Sequence, residues 1–158
     1  MKQFVNVGLG GTFDRLHQGH KLFLDIAAHY GQFVHVGLIS SRYLKKIQKK
    51  YFKMIQSFQF RKKEIENHLI TRNTNILISS INNPGMDQKL ASEGNLCALI
   101  VSQETCSGAN AINRIRTTQC KSKLTIIVIP RVIREDGTLE SSTKLRREEK
   151  EKIIDSTL

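Results

Sequence analysis

Short apolar runs alternate with amphipathic stretches along the chain. The apolar runs contain many β-branched residues and predict five strands, at residues 4–9, 33–39, 75–80, 98–101 and 124–129. Apolar positions with helical spacing lie between them and predict helices at residues 19–30, 59–70, 87–92, 109–118 and from Ser141 or Ser142 to Ile154. Gly31 is placed to end the first helix, and turns are predicted at residues 82–85 and 134–137.

This alternation of strands and helices predicts a single α/β domain over residues 1–158. Apolar strands joined by helical crossovers form a parallel sheet, here a doubly wound, Rossmann-like sheet of five strands with both faces covered. The expected strand order is 3-2-1-4-5, which reverses direction between the first and fourth strands. Ligands bind at such a reversal, so the carboxyl ends of these two strands should face one crevice.

One segment stands out by its charge. Of the 25 lysines and arginines, nine lie between Arg42 and Lys63 with no acidic residue among them, so the rest of the chain carries only +2 of the net +11. Apolar residues recur there at helical spacing and predict an amphipathic helix or an ordered loop with a buried stripe: Leu44, Ile47, Tyr51, Ile55 and Phe58. Such a patch suits nucleic acid or another anionic surface, or it draws a polyphosphate into a cleft.

The remaining composition is that of an ordinary globular protein. Charged residues make up 25% of the chain, and no apolar run of about 18 residues predicts a membrane span. The first strand begins so close to Met1 that no signal peptide is expected. Cys97, Cys106 and Cys120 are odd in number and form no Cys-x-x-Cys pair, which favours a reducing cytoplasm and no structural metal.

The residues after the first strand carry the clearest chemical signal. They read Gly8-Leu9-Gly10-Gly11-Thr12-Phe13-Asp14-Arg15-Leu16-His17-Gln18-Gly19-His20 and lead directly into the first helix. The glycines are expected to let the backbone turn sharply and approach a ligand, and a helix N-terminus offers free N–H groups and partial positive charge. His17 and His20 point the same way, and neutral imidazoles can donate hydrogen bonds to phosphate oxygens. Zinc binding is less favoured, because the cysteines are distant and no carboxylate has a familiar metal spacing.

Gly-Gly-Thr-Phe-Asp followed by His-x-Gly-His resembles the nucleotidyltransferases of the cytidylyltransferase-like superfamily, and is most similar to the phosphopantetheine adenylyltransferases of archaea and eukaryotes. Two further segments extend the resemblance from Gly10 to Arg146. Val101 to Thr105 has the form Val-Ser-x-Glu-Thr and precedes a glycine and two arginines, Arg114 and Arg116. Ser141 to Arg146 has the form Ser-Ser-Thr-x-x-Arg, and its hydroxyl residues also predict a helix cap.

The resemblance implies transfer of AMP from ATP to 4′-phosphopantetheine, giving dephospho-coenzyme A and pyrophosphate in coenzyme A biosynthesis. The acceptor phosphate would attack the α-phosphorus in line, with positioning and charge neutralisation supplying the rate. The implied cofactor is Mg²⁺ carried on ATP, since no acidic cage is visible in the sequence. Asp14 is expected to fix the loop instead of binding metal.

The resemblance also implies residue roles. His20 would bind the α-phosphate, His17 the β- or γ-phosphate, and Lys45 or Lys46 would bridge the phosphates of the two substrates. The implied acceptor contacts are Thr12, Lys45 and Arg61. The implied nucleotide contacts are Gly10, Gly11, Thr12, Phe13, His17, His20, Glu104, Arg114, Ser142, Thr143 and Arg146. Glu104 would accept bonds from a ribose or base amine, or else only form a salt bridge, and Arg116 is expected to be plain surface.

Two residues depart from the family pattern. Arg42 stands where the family often has Asp, and Glu140 replaces the usual Ile, so the two are predicted to form a compensating pair. Other functions also stay open at this point. The chain could act on a different phosphate acceptor, it could be a nucleotide-binding regulator without catalysis, or it could bind nucleic acid through the basic segment. The sequence does not indicate an oligomeric state.

Overall fold

A computed structural model describes residues 1–83 and 85–156. All five strands run parallel in one sheet of order β3-β2-β1-β4-β5, which confirms the predicted topology. The strands are β1 (Phe4–Gly11), β2 (Gly31–Ile39), β3 (Asn75–Ile81), β4 (Ala98–Ser102) and β5 (Thr125–Ile129). Their carboxyl ends form one edge of the sheet, and the reversal of strand order lies between β1 and β4 as expected.

Six α-helices connect and follow the strands. They are α1 (Gln18–Tyr30), α2 (Ser41–Lys46), α3 (Phe58–Leu69), α4 (Met86–Glu93), α5 (Cys106–Thr118) and α6 (Ser142–Asp155). Short 3₁₀ helices occur at Phe52–Met54 and Gln103–Thr105. None of these helices is both long enough and apolar enough to cross a membrane.

The core lies on the two faces of the sheet, and β4 shows how it divides. Ala98 and Ile100 belong to a cluster with α1, α3 and the inner strands, whereas Leu99 and Val101 pack with α4 and α5. The second face is only partly covered, because Phe33 on β2 and Leu77 on β3 are 40% and 55% exposed. The prediction of a sheet covered on both faces is therefore right for β4 and incomplete for the β2–β3 half.

The basic segment takes the second of its two predicted forms, an ordered loop, with a short helix at its start. A single amphipathic helix is not formed; α2 is six residues long and is followed by turns and the 3₁₀ helix. Leu44 is fully buried, whereas Ile47 is 45% exposed and the neighbouring aromatic residues are only partly buried. The helical spacing was misleading because Gln48 and Tyr51 adopt positive φ angles, 48° and 57°, which end the helical path.

The turn predicted at residues 134–137 is present. Gly137, with φ +74°, donates its N–H to the carbonyl oxygen of Arg134 at 2.9 Å, which confirms the turn at residues 134–137. Ile133 then pairs with Leu139 in an antiparallel bridge, so residues 131–140 form a small hairpin. In the turn at residues 82–85, Pro84 lies outside the described residues, and Gly85 caps the start of α4.

Candidate active site

The loop between β1 and α1 is shaped differently from the prediction. The strand continues through Gly11, and the positive φ angles fall at Phe13 and Arg15, both 49°. The glycines are needed instead for close packing: a Cβ on Gly8 would lie 2.6 Å from a Leu96 methyl, and one on Gly11 would lie 3.2 Å from the Phe13 ring. Non-glycine residues with positive φ carry strain of about 1–3 kcal/mol and persist where surrounding contacts hold them.

Phe13 is a core residue. Its side chain is 1% exposed, and its ring centroid lies 5.2 Å from that of His20 and 6.2 Å from that of Phe23. The Phe13 side chain therefore packs against the His20 ring, and a contact of this residue with the nucleotide stays a prediction. The signal was available in the sequence, since a Phe beside a strand end is more often core than surface.

His17 and His20 meet at the N-terminus of α1 as predicted. Their rings stack with centroids 3.8 Å apart and planes 22° from parallel. Burial lowers the pKa of both imidazoles, and the neighbouring His17 lowers that of His20 further, to about 3. Both rings are therefore neutral near pH 7 and can donate one N–H each. Among the described residues, neither buried Nδ1 atom has a hydrogen-bond partner.

Asp14 connects the α1 loop to the rest of the site. Its Oδ1 accepts the backbone N–H of Gln56 at 2.9 Å, and its Oδ2 accepts Nη1 of Arg15 at 2.7 Å and Nη1 of Arg146 at 2.5 Å. The carboxylate is fully buried between these donors. Its role in fixing the loop agrees with our expectation, although the sequence did not reveal that Arg146 is one of its partners.

The N-terminus of α6 is built against the same loop. Ser141 caps the helix by accepting the N–H of Lys144 at 3.2 Å, and Ser142 donates its hydroxyl to the Asp14 carbonyl at 2.7 Å. Thr143 accepts a hydrogen bond from Nη2 of Arg146 at 3.1 Å. Arg146 is 1% exposed, and its buried Nε has no partner among the described residues. Two helix N-termini, which favour anions, are thus held together by a single loop.

Arg61 lies beneath the loop instead of on the crevice surface. Its side chain is fully buried, with Nη1 donating to the carbonyls of Thr12 at 2.7 Å and Ile39 at 3.0 Å, and Nε to Gln56 at 2.9 Å. Its Nη2 is buried and lacks a partner in the described part of the chain. Three of its contacts are structural, so direct binding of the acceptor would fall to Nη2 alone.

Lys45 and Lys46 are both exposed in the last turn of α2. This helix follows β2, so the lysines lie at the same edge of the sheet as the α1 loop. The neighbouring Leu44 is fully buried and fixes the helix, while the two lysine side chains are exposed. The structure gives no reason to prefer one of them.

The segment after β4 is only partly directed at the crevice. Glu104 is exposed and forms an ion pair with Arg131, one of the two interpretations that its sequence allowed. Arg114 is exposed and lies eight residues after the start of α5, about 12 Å along the helix axis. Arg116 is buried and donates to the carbonyls of Ala91 and Gly94, both at 3.1 Å, and of Ser122 at 2.8 Å. The expectation of a plain surface residue is therefore wrong for Arg116, which fastens α5 to the α4 region.

Glu140 does not pair with Arg42. Its Oε2 accepts the N–H of Gly19 at 3.2 Å and lies 3.6 Å from Nδ1 of His17, so the carboxylate sits at the mouth of α1. Sequence reasoning noted Glu140 as a departure and placed it wrongly. The spacing of 121 residues between Gly19 and Glu140 left no local signal for this contact.

Among the side chains that the structure describes, no group of three or more His, Cys, Asp or Glu is arranged to hold an ion. All three cysteines are free thiols.

Comparison with known proteins identifies relatives over nearly the whole chain. The model of the cytidylyltransferase-like family matches residues 9–148. A phosphopantetheine adenylyltransferase from Pyrococcus horikoshii is 38% identical over 148 residues, which cover 92% of this chain and 90% of the relative. The enzyme of the same name from Pyrococcus abyssi is also 38% identical, with 92% and 91% covered.

A solved structure supports the fold. A protein of unknown function from Archaeoglobus fulgidus superposes with a TM-score of 0.66 at 28% identity, covering 80% of this chain and 90% of that one.

Proposed function

Because this chain belongs to the cytidylyltransferase-like family, and within it to the phosphopantetheine adenylyltransferases, we propose that it transfers AMP from ATP to 4′-phosphopantetheine. The products are dephospho-coenzyme A and pyrophosphate. An oxygen of the acceptor phosphate forms the new bond to the α-phosphorus, while the bond from that phosphorus to the β-phosphate oxygen breaks.

The observation that supports this proposal most is the meeting of two helix N-termini on Asp14. One presents the neutral His17–His20 pair, and the other presents Ser142, Thr143 and Arg146. Buried nitrogen atoms without partners among the described residues, on both histidines and on Arg146, are the kind of donors that phosphate oxygens satisfy. A side chain that could act as a covalent nucleophile is not required, because phosphate itself attacks.

In this proposal the residues act by position and charge. His20 donates to the α-phosphate as negative charge develops there, and His17 donates to the β- or γ-phosphate. Ser142, Thr143 and Arg146 bind the leaving pyrophosphate. Thr12 and either Lys45 or Lys46 hold the acceptor phosphate in line with the α-phosphorus.

Mg²⁺ enters in this proposal with ATP, since the described residues offer no cluster of their own to hold it. Its contribution would be to neutralise charge on the triphosphate.

The test is pyrophosphate release in Mg²⁺-ATP with and without 4′-phosphopantetheine, beside CTP and a panel of other phosphate acceptors. We expect release only with ATP and 4′-phosphopantetheine together. Release with another pair would retain the phosphate chemistry and overturn the acceptor. If no pair gave release, RNA binding to the basic segment would be measured next, with ATP as competitor.

A further inference from the structure

The mouth of α1 already contains an anion, which belongs to the protein itself. The Glu140 side chain is 14% exposed and extends to the N-terminus of the helix, where its Oε2 accepts the Gly19 N–H at 3.2 Å. The same oxygen lies 3.6 Å from Nδ1 of His17, whose side chain is 9% exposed. A carboxylate at a helix N-terminus is stabilised by the free N–H groups and the helix dipole.

The contacts of this carboxylate oxygen are those a phosphate oxygen would seek. The Gly19 N–H donates to it, and the buried Nδ1 of His17, which has no hydrogen-bond partner among the described residues, lies 3.6 Å from the same oxygen. A phosphate oxygen and the Glu140 carboxylate cannot share that point, because two anions in contact repel each other strongly.

We infer that Glu140 stands in for a phosphate group in the nucleotide-free protein and sets the affinity for nucleotide by competing with it. This rests on the proposed function, in which His17 binds the β- or γ-phosphate. When the triphosphate enters, the Glu140 side chain leaves Gly19 and the phosphate takes its place. The apparent association constant is then the intrinsic association constant multiplied by the fraction of nucleotide-free molecules in which Glu140 is displaced.

The surrounding structure lets the side chain move while its backbone stays in place. Glu140 donates its N–H to the carbonyl of Val132 at 3.1 Å, across the hairpin of residues 131–140. A cavity of about 500 Å³ opens beside the carboxylate, between Gln18 and the hairpin. Arg134 lines this cavity and is paired with Glu148 at 2.9 Å.

The experiment compares Glu140→Gln with the native protein by titration calorimetry, using Mg²⁺-ATP and, separately, inorganic triphosphate. Gln keeps the size and an oxygen for Gly19 but removes the charge. Since a charge at a helix N-terminus is worth up to about 2 kcal/mol and 1.4 kcal/mol is tenfold in affinity, we expect binding to tighten by roughly threefold to thirtyfold for both ligands. Glu140→Ala should tighten it as well.

Glu135→Gln is the matched control. Glu135 is exposed and lines the same cavity, so it gives the same change of net charge away from Gly19. Its affinities should stay within about twofold of the native values. Thermal unfolding of all variants checks that each is folded, and the ATP-induced rise of the melting temperature should be larger for Glu140→Gln than for the native chain.

Each result decides between the alternatives. Unchanged or weaker binding of both ligands by Glu140→Gln would overturn the inference; weaker binding would mean that Glu140 helps to hold the triphosphate, as a cation ligand does. Tightening in Glu135→Gln to the same extent would also overturn it, because the effect would then be one of general charge. The titration with inorganic triphosphate distinguishes a failure of the inference about Glu140 from a failure of the proposed function. If triphosphate binds and ATP does not, the adenylyl transfer is wrong while the competition is still measured, and if neither binds to any variant, no phosphate site exists for Glu140 to fill.

Discussion

The imidazole of His20 lies between the ring of His17 and the core residue Phe13, and this position affects both catalysis and stability. Burial and His17 together lower its pKa from 6.5 to about 3. Between these two values the unfolded chain binds a proton at His20 and the folded protein does not. The free energy of unfolding therefore falls as the pH drops below 6.5 and would level off only below about 3.

His20→Leu removes both the imidazole donor and the titrating group, so it tests both effects in one variant. Loss of a donor to the α-phosphate should lower kcat by roughly 10²–10³-fold. Between pH 7 and 5 the native protein should lose about 2 kcal/mol more stability than the variant, measured by urea unfolding at each pH. If the loss of activity at pH 7 were fully explained by a larger unfolded fraction of the variant, His20 would be structural only. If the stability of the two proteins changed in parallel with pH, His20 would not be a buried neutral group.

At the scale of elements, α6 is attached to the α1 loop through one buried guanidinium. Arg146 contacts Asp14 and Thr143 through two different nitrogens, a fork that a lysine cannot reproduce. Arg146→Lys should lower kcat/KM for ATP by about tenfold to a hundredfold and also lower the melting temperature. Arg147→Lys is the control. Arg147 is exposed, and its ion pair within the described residues is with Glu151 on the surface of the same helix. A similar loss of kcat/KM in both variants would mean that this turn of α6 tolerates no lysine in place of arginine. Arg146 would then have no special role.

The elements themselves were largely predictable, and many of their connections were not. Apolar periodicity located all five strands and the N-termini of α1 and α6, because these depend on local patterns of burial and capping. For the basic segment the sequence left a helix and an ordered loop open, and the loop is found because Gln48 and Tyr51 take positive φ angles that their residue types do not indicate.

Within the site, the motif residues were predictable and their partners were not. His17 and His20 meet because they share one helix turn. The buried positions of Arg61 and Arg116, and the place of Glu140 at Gly19, depend on contacts between residues distant in the chain. An arginine that donates to backbone carbonyls and an arginine that binds a ligand are the same residue type. The sequence alone therefore cannot distinguish the two roles.

For the whole molecule, charge is concentrated on one side of the entrance to the site. Lys49 and Lys53 are exposed within the basic segment, which joins the β2 edge to α3. A positive field near a cleft raises the association rate of anions and is screened by salt. Replacing both lysines by Gln should lower kcat/KM for ATP by roughly twofold to fivefold at low ionic strength and leave kcat unchanged.

The control for this variant is the same change at Lys123 and Lys152, which are exposed outside the segment. The difference between the two double variants should vanish near 0.5 M salt, where the screening length is only about 4 Å. A deficit that persists at high salt would indicate direct contact with substrate instead of steering.

The bonds of Asp14 to Ser142 and Arg146 also bear on the order in which the protein acquires its parts. These partners are separated by 128 and 132 residues, whereas the hydrophobic residues of both core clusters lie between Phe4 and Ile129. The residues of the sheet and its core therefore all precede α6 in the chain. Without α6, the Asp14 carboxylate lacks a main cation and the second helix N-terminus does not exist. The core can thus pack without α6, and in the proposed function the triphosphate site would be completed only when α6 closes against the loop.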